Sequence, residues 1–170
     1  MFHCLSGMRL LSAFLLLVTI ASCKSGNELV TVSIDENYSL EIPSHMEKTD
    51  ELREDAILQY RNRYRNCYVI AFKQSSDKSL RDYQKEAVSV LTNYLDKPAI
   101  TDSGITKLGE LTAFYTGVFG KMEQEQIYYD HLTIKSPPHF YEVCVWTRGA
   151  DRRDRYGEEL KKILFSFKPN

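Results

Sequence analysis

The residue with the most specific chemistry in this 170-residue chain is Cys23, the last of the run Ile20-Ala21-Ser22-Cys23. A cysteine behind an aliphatic and two small residues offers an uncrowded thiol that can be alkylated. The bond between Ser22 and Cys23 has little bulk beside it to obstruct a peptidase. Three other groups have types and spacing that could do chemistry. Arg61, Arg63 and Arg65 alternate, so in an extended chain their guanidiniums project from one side and could grip a phosphate or lipid headgroup; a solvated hairpin loop is the competing reading. Cys67 and Cys144 could form a disulfide outside the cytoplasm if their strands are neighbours, against the alternative of two separate buried thiols. His131 and Cys144, with Asp130 beside them, come nearly opposite one another on paired strands. They lack the tight Cys-x-x-Cys pairs of a zinc site, so packed side chains are expected and no metal is assigned.

The segment around Cys23 resembles the lipobox of bacterial lipoproteins. Leu10 to Ile20 is almost continuously apolar, with Arg9 in front as a positive n-region; this is a secretory leader, too short to span a bilayer. Residues 1–22 are therefore expected to be a signal peptide, with Met8 a second candidate start that would make Cys4 irrelevant to the mature chain. A buried core helix ending in cysteine is the alternative, and Ala21 and Ser22 count against it. Residues 23–28 read as the lipidated cysteine and a short polar tether, and residues 29–170 as a single globular domain. The resemblance implies a bacterial cell-envelope protein held to the membrane through lipid on Cys23. Lys24 stands where Asp would retain an enterobacterial lipoprotein at the inner membrane, so the outer membrane is favoured in an organism that has one.

Composition excludes several classes of function. The formal charge is −1, and loss of Arg9 with the leader makes it −2, which argues against nucleic acid as a partner. The 11 Tyr and 8 Phe supply a substantial core. There is no Gly-x-Ser-x-Gly, no His-Glu-x-x-His, no phosphate loop and no dinucleotide fingerprint, so no catalytic residue and no cofactor is assigned. The acids Glu47, Asp50, Glu51, Glu54 and Asp55 lack the spacing of a calcium loop.

The elements that must position these residues alternate between strand and helix patterns. Val30–Ile34 and Tyr38–Ile42 flank Asp35-Glu36-Asn37 and read as a hairpin ended by Pro43. Ala56–Tyr60 and Cys67–Gln74 read as strands around the arginine-rich link. Ser79-Leu80-Arg81-Asp82 has capping-box form, and Leu80, Tyr83, Ala87, Val90, Leu91, Tyr94 and Leu95 follow on one helical side, predicted to be buried. Strands over roughly 108–119, 124–135 and 140–148 have connections short enough to force antiparallel pairing. With Lys135 opposite His139, Tyr129 would face Val145 and His131 would face Val143. Aromatic and apolar residues fall on both faces of this ribbon, so both faces should be covered. A second capping box at Asp151–Asp154 opens a helix with the stripe Tyr156, Leu160, Ile163, Leu164 and Phe167.

These elements predict an α+β fold, a mostly antiparallel sheet of about six strands with two main helices packed on it. Their order, with Tyr-x-Leu-x-Ile-Pro at residues 38–43, resembles the PsbP-type fold, also found in a Ran-GTPase-binding Mog-type protein and in DcrB-like bacterial lipoproteins. The resemblance implies a non-enzymatic accessory or binding module; with the anchor expected at Cys23, an envelope protein is the expected partner. A small-ligand or lipid-binding lipoprotein, with a pocket lined by Tyr128, Tyr129 and Trp146, is the alternative. An envelope enzyme with an unfamiliar site near His131 is a third reading.

Overall fold

Asp35 sets the first turn. The computed structural model describes residues 28–170; the leader, Cys23 and most of the tether lie outside the described residues. Strands β1 (Leu29–Ser33) and β2 (Tyr38–Pro43) pair antiparallel, Leu29 opposite Pro43 and Ser33 opposite Ser39. Between them the Asp35 carboxylate accepts the amides of Asn37 and Tyr38 at 2.8 and 3.1 Å, the local closure that makes Asp a turn residue. A two-residue strand at the C-terminus, Lys168–Pro169, joins the far side of β2 and completes a three-stranded sheet.

The larger sheet has seven antiparallel strands. In chain order they are β3 (Glu47–Lys48), β4 (Leu58–Asn62), β5 (Cys67–Ser75), β6 (Asp96–Leu108), β7 (Leu111–Met122), β8 (Glu125–Ser136) and β9 (His139–Arg148), which makes Lys168–Pro169 β10. Their spatial order is β3-β4-β5-β9-β8-β7-β6. Helix α1 (Leu80–Thr92) precedes β6 and α2 (Ala150–Phe165) follows β9.

Alternation along β9 divides the core. Tyr141, Val143 and Val145 join Leu40, Ile42, Val69, Leu132, Leu160 and Leu164 beneath α2 and the small sheet. The intervening residues face α1, where Val88, Leu95, Val118 and Ile127 pack with Tyr129 and Trp146. Both faces of the large sheet are thus covered, as the two-sided apolar pattern requires.

Several elements differ from the sequence expectation. The β8–β9 register is shifted by one: Pro137-Pro138 alone forms the loop, so Ser136 rather than Lys135 opposes His139, Tyr129 opposes Trp146, and His131 opposes Cys144. Strand β6 was unforeseen, because its sequence carries Pro98 and Gly104 and almost no apolar alternation. It exists through pairing with β7, and it lies at the sheet edge, where proline is tolerated. Its register slips twice, between Asp96 and Ala99 and between Ile100 and Asp102. On α1 the buried side chains are Tyr83, Gln84 and Val88, while Val90 and Tyr94 are exposed; the helix ends at Thr92, so Tyr94 lies beyond it. Ser79 caps α1 as expected, accepting the Asp82 amide at 3.1 Å. The cap of α2 is instead Gly149, whose φ of 88° suits glycine, and Asp151 falls inside the first turn.

Candidate functional site

The polar residues with the most constrained surroundings lie between α1 and the sheet. At the start of α1, Tyr83 reaches β9, stacking on Phe140 with ring centroids 4.1 Å apart and donating its hydroxyl to Glu142 Oε1 at 2.7 Å. Its neighbour Gln84 reaches β7, donating to Thr116 Oγ1 at 2.9 Å. Strand β8 runs between β9 and β7 and places His131 and Thr133 beneath the same stretch of helix. His131 Nε2 is 3.3 Å from Glu142 Oε2. His131 Nδ1 and Thr133 Oγ1 are buried without a hydrogen-bond partner among the described residues.

Burial alone would raise the Glu142 carboxyl, but the bond and charge of His131, together with the Tyr83 hydroxyl, outweigh it and hold the group below the usual carboxylate range. Burial, reinforced by Glu142, pushes the Tyr83 phenol up. Cys144, directly opposite His131, is raised well above an ordinary thiol by burial, with Asp130 and Glu142 adding to the effect. A cysteine held as its neutral thiol is the reverse of an activated nucleophile. The His131–Glu142–Tyr83 contacts therefore satisfy buried polar groups under α1. A sequence signal existed for the His131–Glu142 pair: Glu142 is the lone acid in the mostly apolar run Phe140–Trp146, and His131 occupies the adjoining strand.

Beside this cluster a groove of about 400 Å³ opens between α1 and the β6 edge, lined by Gln84, Val88, Ile100, Ser103, Phe114 and Thr116 among others. Gln84 and Thr116 belong both to the groove wall and to the buried polar layer.

The residues singled out by spacing are arranged differently from expectation. Cys67 opposes Thr147 and Cys144 opposes Ile70, so the two thiols project on opposite faces of neighbouring strands and both are free. The proposed disulfide is thereby excluded by side-chain direction, and burial raises Cys67 to about 11. Asp130 faces α2, where Tyr115 donates to it, so it is separated from His131 and Cys144. Tyr128 also faces α2, with Arg153 over its ring at 5.2 Å. The pocket expected from Tyr128, Tyr129 and Trp146 is therefore split, leaving Tyr129 and Trp146 packed together on the α1 side at 5.6 Å.

The arginine series is not a free anion patch. Arg61 lies in β4 and bonds Glu47 and Glu51 at 3.1 and 2.5 Å. Arg63, in the following turn, meets Glu51 at 3.3 Å. Arg65 turns away to Glu159 on α2, also 3.3 Å, and its guanidinium lies over Tyr156 at 5.1 Å. The extended geometry ends at Asn62, and the acids that occupy these cations come from β3 and the residues just after it, Glu47 and Glu51, and from α2, Glu159. His45 ties this corner together, its Nε2 lying 2.7 Å from Glu159 and its Nδ1 3.1 Å from the Asn62 amide nitrogen. Ser44 N–H donates to Glu28 O at 2.7 Å, so the first described residue is fixed at the same corner.

No family model and no curated protein matches the chain. Solved structures do. Cyanobacterial PsbP from Synechocystis aligns with a TM-score of 0.62 at 13% identity, covering 91% of this chain and 99% of that one. The Ran-binding protein Mog1p of Saccharomyces cerevisiae aligns at 0.61 and 14%, covering 83% and 95%. LpqN of Mycobacterium tuberculosis, described as involved in cell envelope biogenesis, aligns at 0.58 and 13%, covering 84% and 91%. Two helices on a mostly antiparallel sheet, in this strand order, make the chain an α+β protein with the fold of PsbP and Mog1p.

Proposed function

We propose that the protein is a bacterial cell-envelope lipoprotein, anchored through Cys23, that acts as a non-enzymatic binding or accessory module through protein contacts. The observation that carries the reading is the lipobox Ile20–Cys23 placed five residues before the first described residue. A tether this short makes sense for a domain that works beside a membrane. The buried chemistry fits a binding role: the titratable groups under α1 are engaged with one another, and the thiol beside them is held neutral. LpqN offers the same fold in an envelope setting, and Mog1p offers it in a Ran-binding protein. The Lys24 position favours the outer membrane.

The test is a cross-linked pull-down from intact envelope with the native anchored form, alongside Cys23→Ser. The variant is expected to be unprocessed or soluble and to lose labelling by palmitate analogues. Unchanged fractionation and labelling would refute the anchor. A second reading, small-ligand binding, has one observation in its favour: the groove beside α1 falls in the few-hundred-Å³ range of ligand pockets and has a polar floor at Gln84 and Thr116. Native mass spectrometry of the purified protein is expected to reveal a retained small molecule on that reading and none on the first.

A further inference from the structure

We propose that the corner bearing the β4–β5 turn lies against the headgroup layer of the membrane, with Tyr64 as an interfacial anchor; the inference rests on the lipid-anchor reading of Cys23. The chain path comes first. Glu28 is pinned to Ser44, and the next residue, His45, contacts Asn62, Arg65 and Glu159. The tether therefore leaves the domain beside the β4–β5 turn. The five residue steps from Cys23 to Glu28 reach at most about 17 Å when extended, so this corner cannot stand far from the bilayer to which Cys23 is fixed.

The residues at the corner suit that position. Tyr64, at the tip of the turn, is 97% exposed, well beyond any other large hydrophobic side chain described. Leu29 and Val30, the first strand residues after the tether, are also about half exposed. Nothing in the fold requires a tyrosine at a fully solvated tip. An amphipathic ring at headgroup level, by contrast, places its apolar body and its hydroxyl in matching surroundings. Arg63 and Arg65 flank it in sequence, and the guanidiniums of Arg65 and Arg155 lie 5.1 and 6.0 Å from the Tyr156 ring. Arg61, Arg63 and Arg65 are balanced by Glu47, Glu51 and Glu159, so the corner's positive excess is small, that of Arg155. Docking should accordingly depend on the tyrosine and the tether rather than on anionic lipid. A single interfacial ring binds weakly by itself; the anchor makes the contact intramolecular and so raises its effective concentration.

The experiment uses the lipidated chain reconstituted into phosphatidylcholine vesicles, with a spin label on Arg63→Cys. Cys67 and Cys144 are buried, so labelling is selective. The label is expected to be relaxed preferentially by oxygen over a water-soluble nickel chelate, whereas a label on Glu110→Cys, in the β6–β7 turn at the far end of the sheet, should show the reverse. Adding Tyr64→Ser to the Arg63→Cys variant should abolish the preference for oxygen without releasing the protein from vesicles. Water-like behaviour at both sites in protein that still floats with the vesicles would overturn the orientation and leave the anchor intact. Protein that fails to float would overturn the anchor and the orientation with it. A preference for oxygen that survives Tyr64→Ser, or that appears only with anionic lipid, would overturn the role of Tyr64.

Discussion

Asp35 links three parts of the fold, and replacing it by Asn measures how firmly the small sheet is held to the large one. Besides closing its own turn, its Oδ2 accepts Lys73 Nζ from β5 and the Tyr141 hydroxyl from β9, each at 2.7 Å. Burial alone would raise the carboxyl, but Lys73, Tyr141 and the amides of Asn37 and Tyr38 together bring it from 3.8 down to about 2. One pKa unit corresponds to ~1.4 kcal/mol, so the shift sets a ceiling of about 2.5 kcal/mol. The Lys73 side chain is a quarter exposed, and screening reduces the realised part to about 1–2 kcal/mol. The amide nitrogen of Asn would set a donor against Lys73 or Tyr141, so Asp35→Asn is expected to cost about 2 kcal/mol at neutral pH. Because the folded value lies below the unfolded one, the contribution is complete above about pH 4 and is lost as pH falls toward 2. The wild-type advantage should therefore shrink over that interval. Urea unfolding followed by Trp146, the one tryptophan, provides the assay. A difference below about 0.5 kcal/mol at pH 7, or one that stays constant down to pH 2, would refute the reasoning.

Three further outcomes are expected. Tyr83→Phe keeps the stack on Phe140 but removes the donor to Glu142, and should lower stability by about 1–2 kcal/mol in denaturant titration. Cys67 and Cys144, both buried with raised pKa values, should resist Ellman's reagent at pH 8 in the folded protein and react at once in guanidinium; rapid native reaction would contradict the packing. Gly120→Val should cost about 1–3 kcal/mol by overpacking, since a Cβ there would sit 2.8 Å from Leu95 Cβ. Leu95→Ala removes the Cδ1 that would lie 2.9 Å from the same position but keeps the Cβ, so it should recover only part of that loss in a double-mutant cycle.

Local chemistry was legible wherever one signal dominated. The Asp35 turn, the Ser79 cap and the stripe Leu160, Ile163, Leu164 and Phe167 all follow from neighbours in sequence, and with them the α+β class and the two covered sheet faces. What escaped was set by distant pairing. Strand β6 has no amphipathic pattern and owes its form to β7. Counting Pro137-Pro138 as the entire loop moves the β8–β9 register by one, and a one-residue slip exchanges the two faces. That slip decides whether Tyr129 or Tyr128 accompanies Trp146. The arginine series looked open because Glu47, Glu51 and Glu159 reach it from 10 to 94 residues away. Tyr83 and Glu142, 59 residues apart, meet only once α1 lies across the sheet.

The irregular β6 edge acquires a meaning from confinement. Molecules held in one plane by the anchor proposed for Cys23 collide far more often, and in fewer orientations, than the same molecules in three dimensions. A long straight edge strand would then be a template for another copy. The edge here is interrupted by its two register slips, by Lys97 at a φ of 50°, and by Pro98, which has no amide to donate. Under that proposed anchoring, crowding would meet an outermost strand poorly shaped to extend the sheet from one molecule into the next.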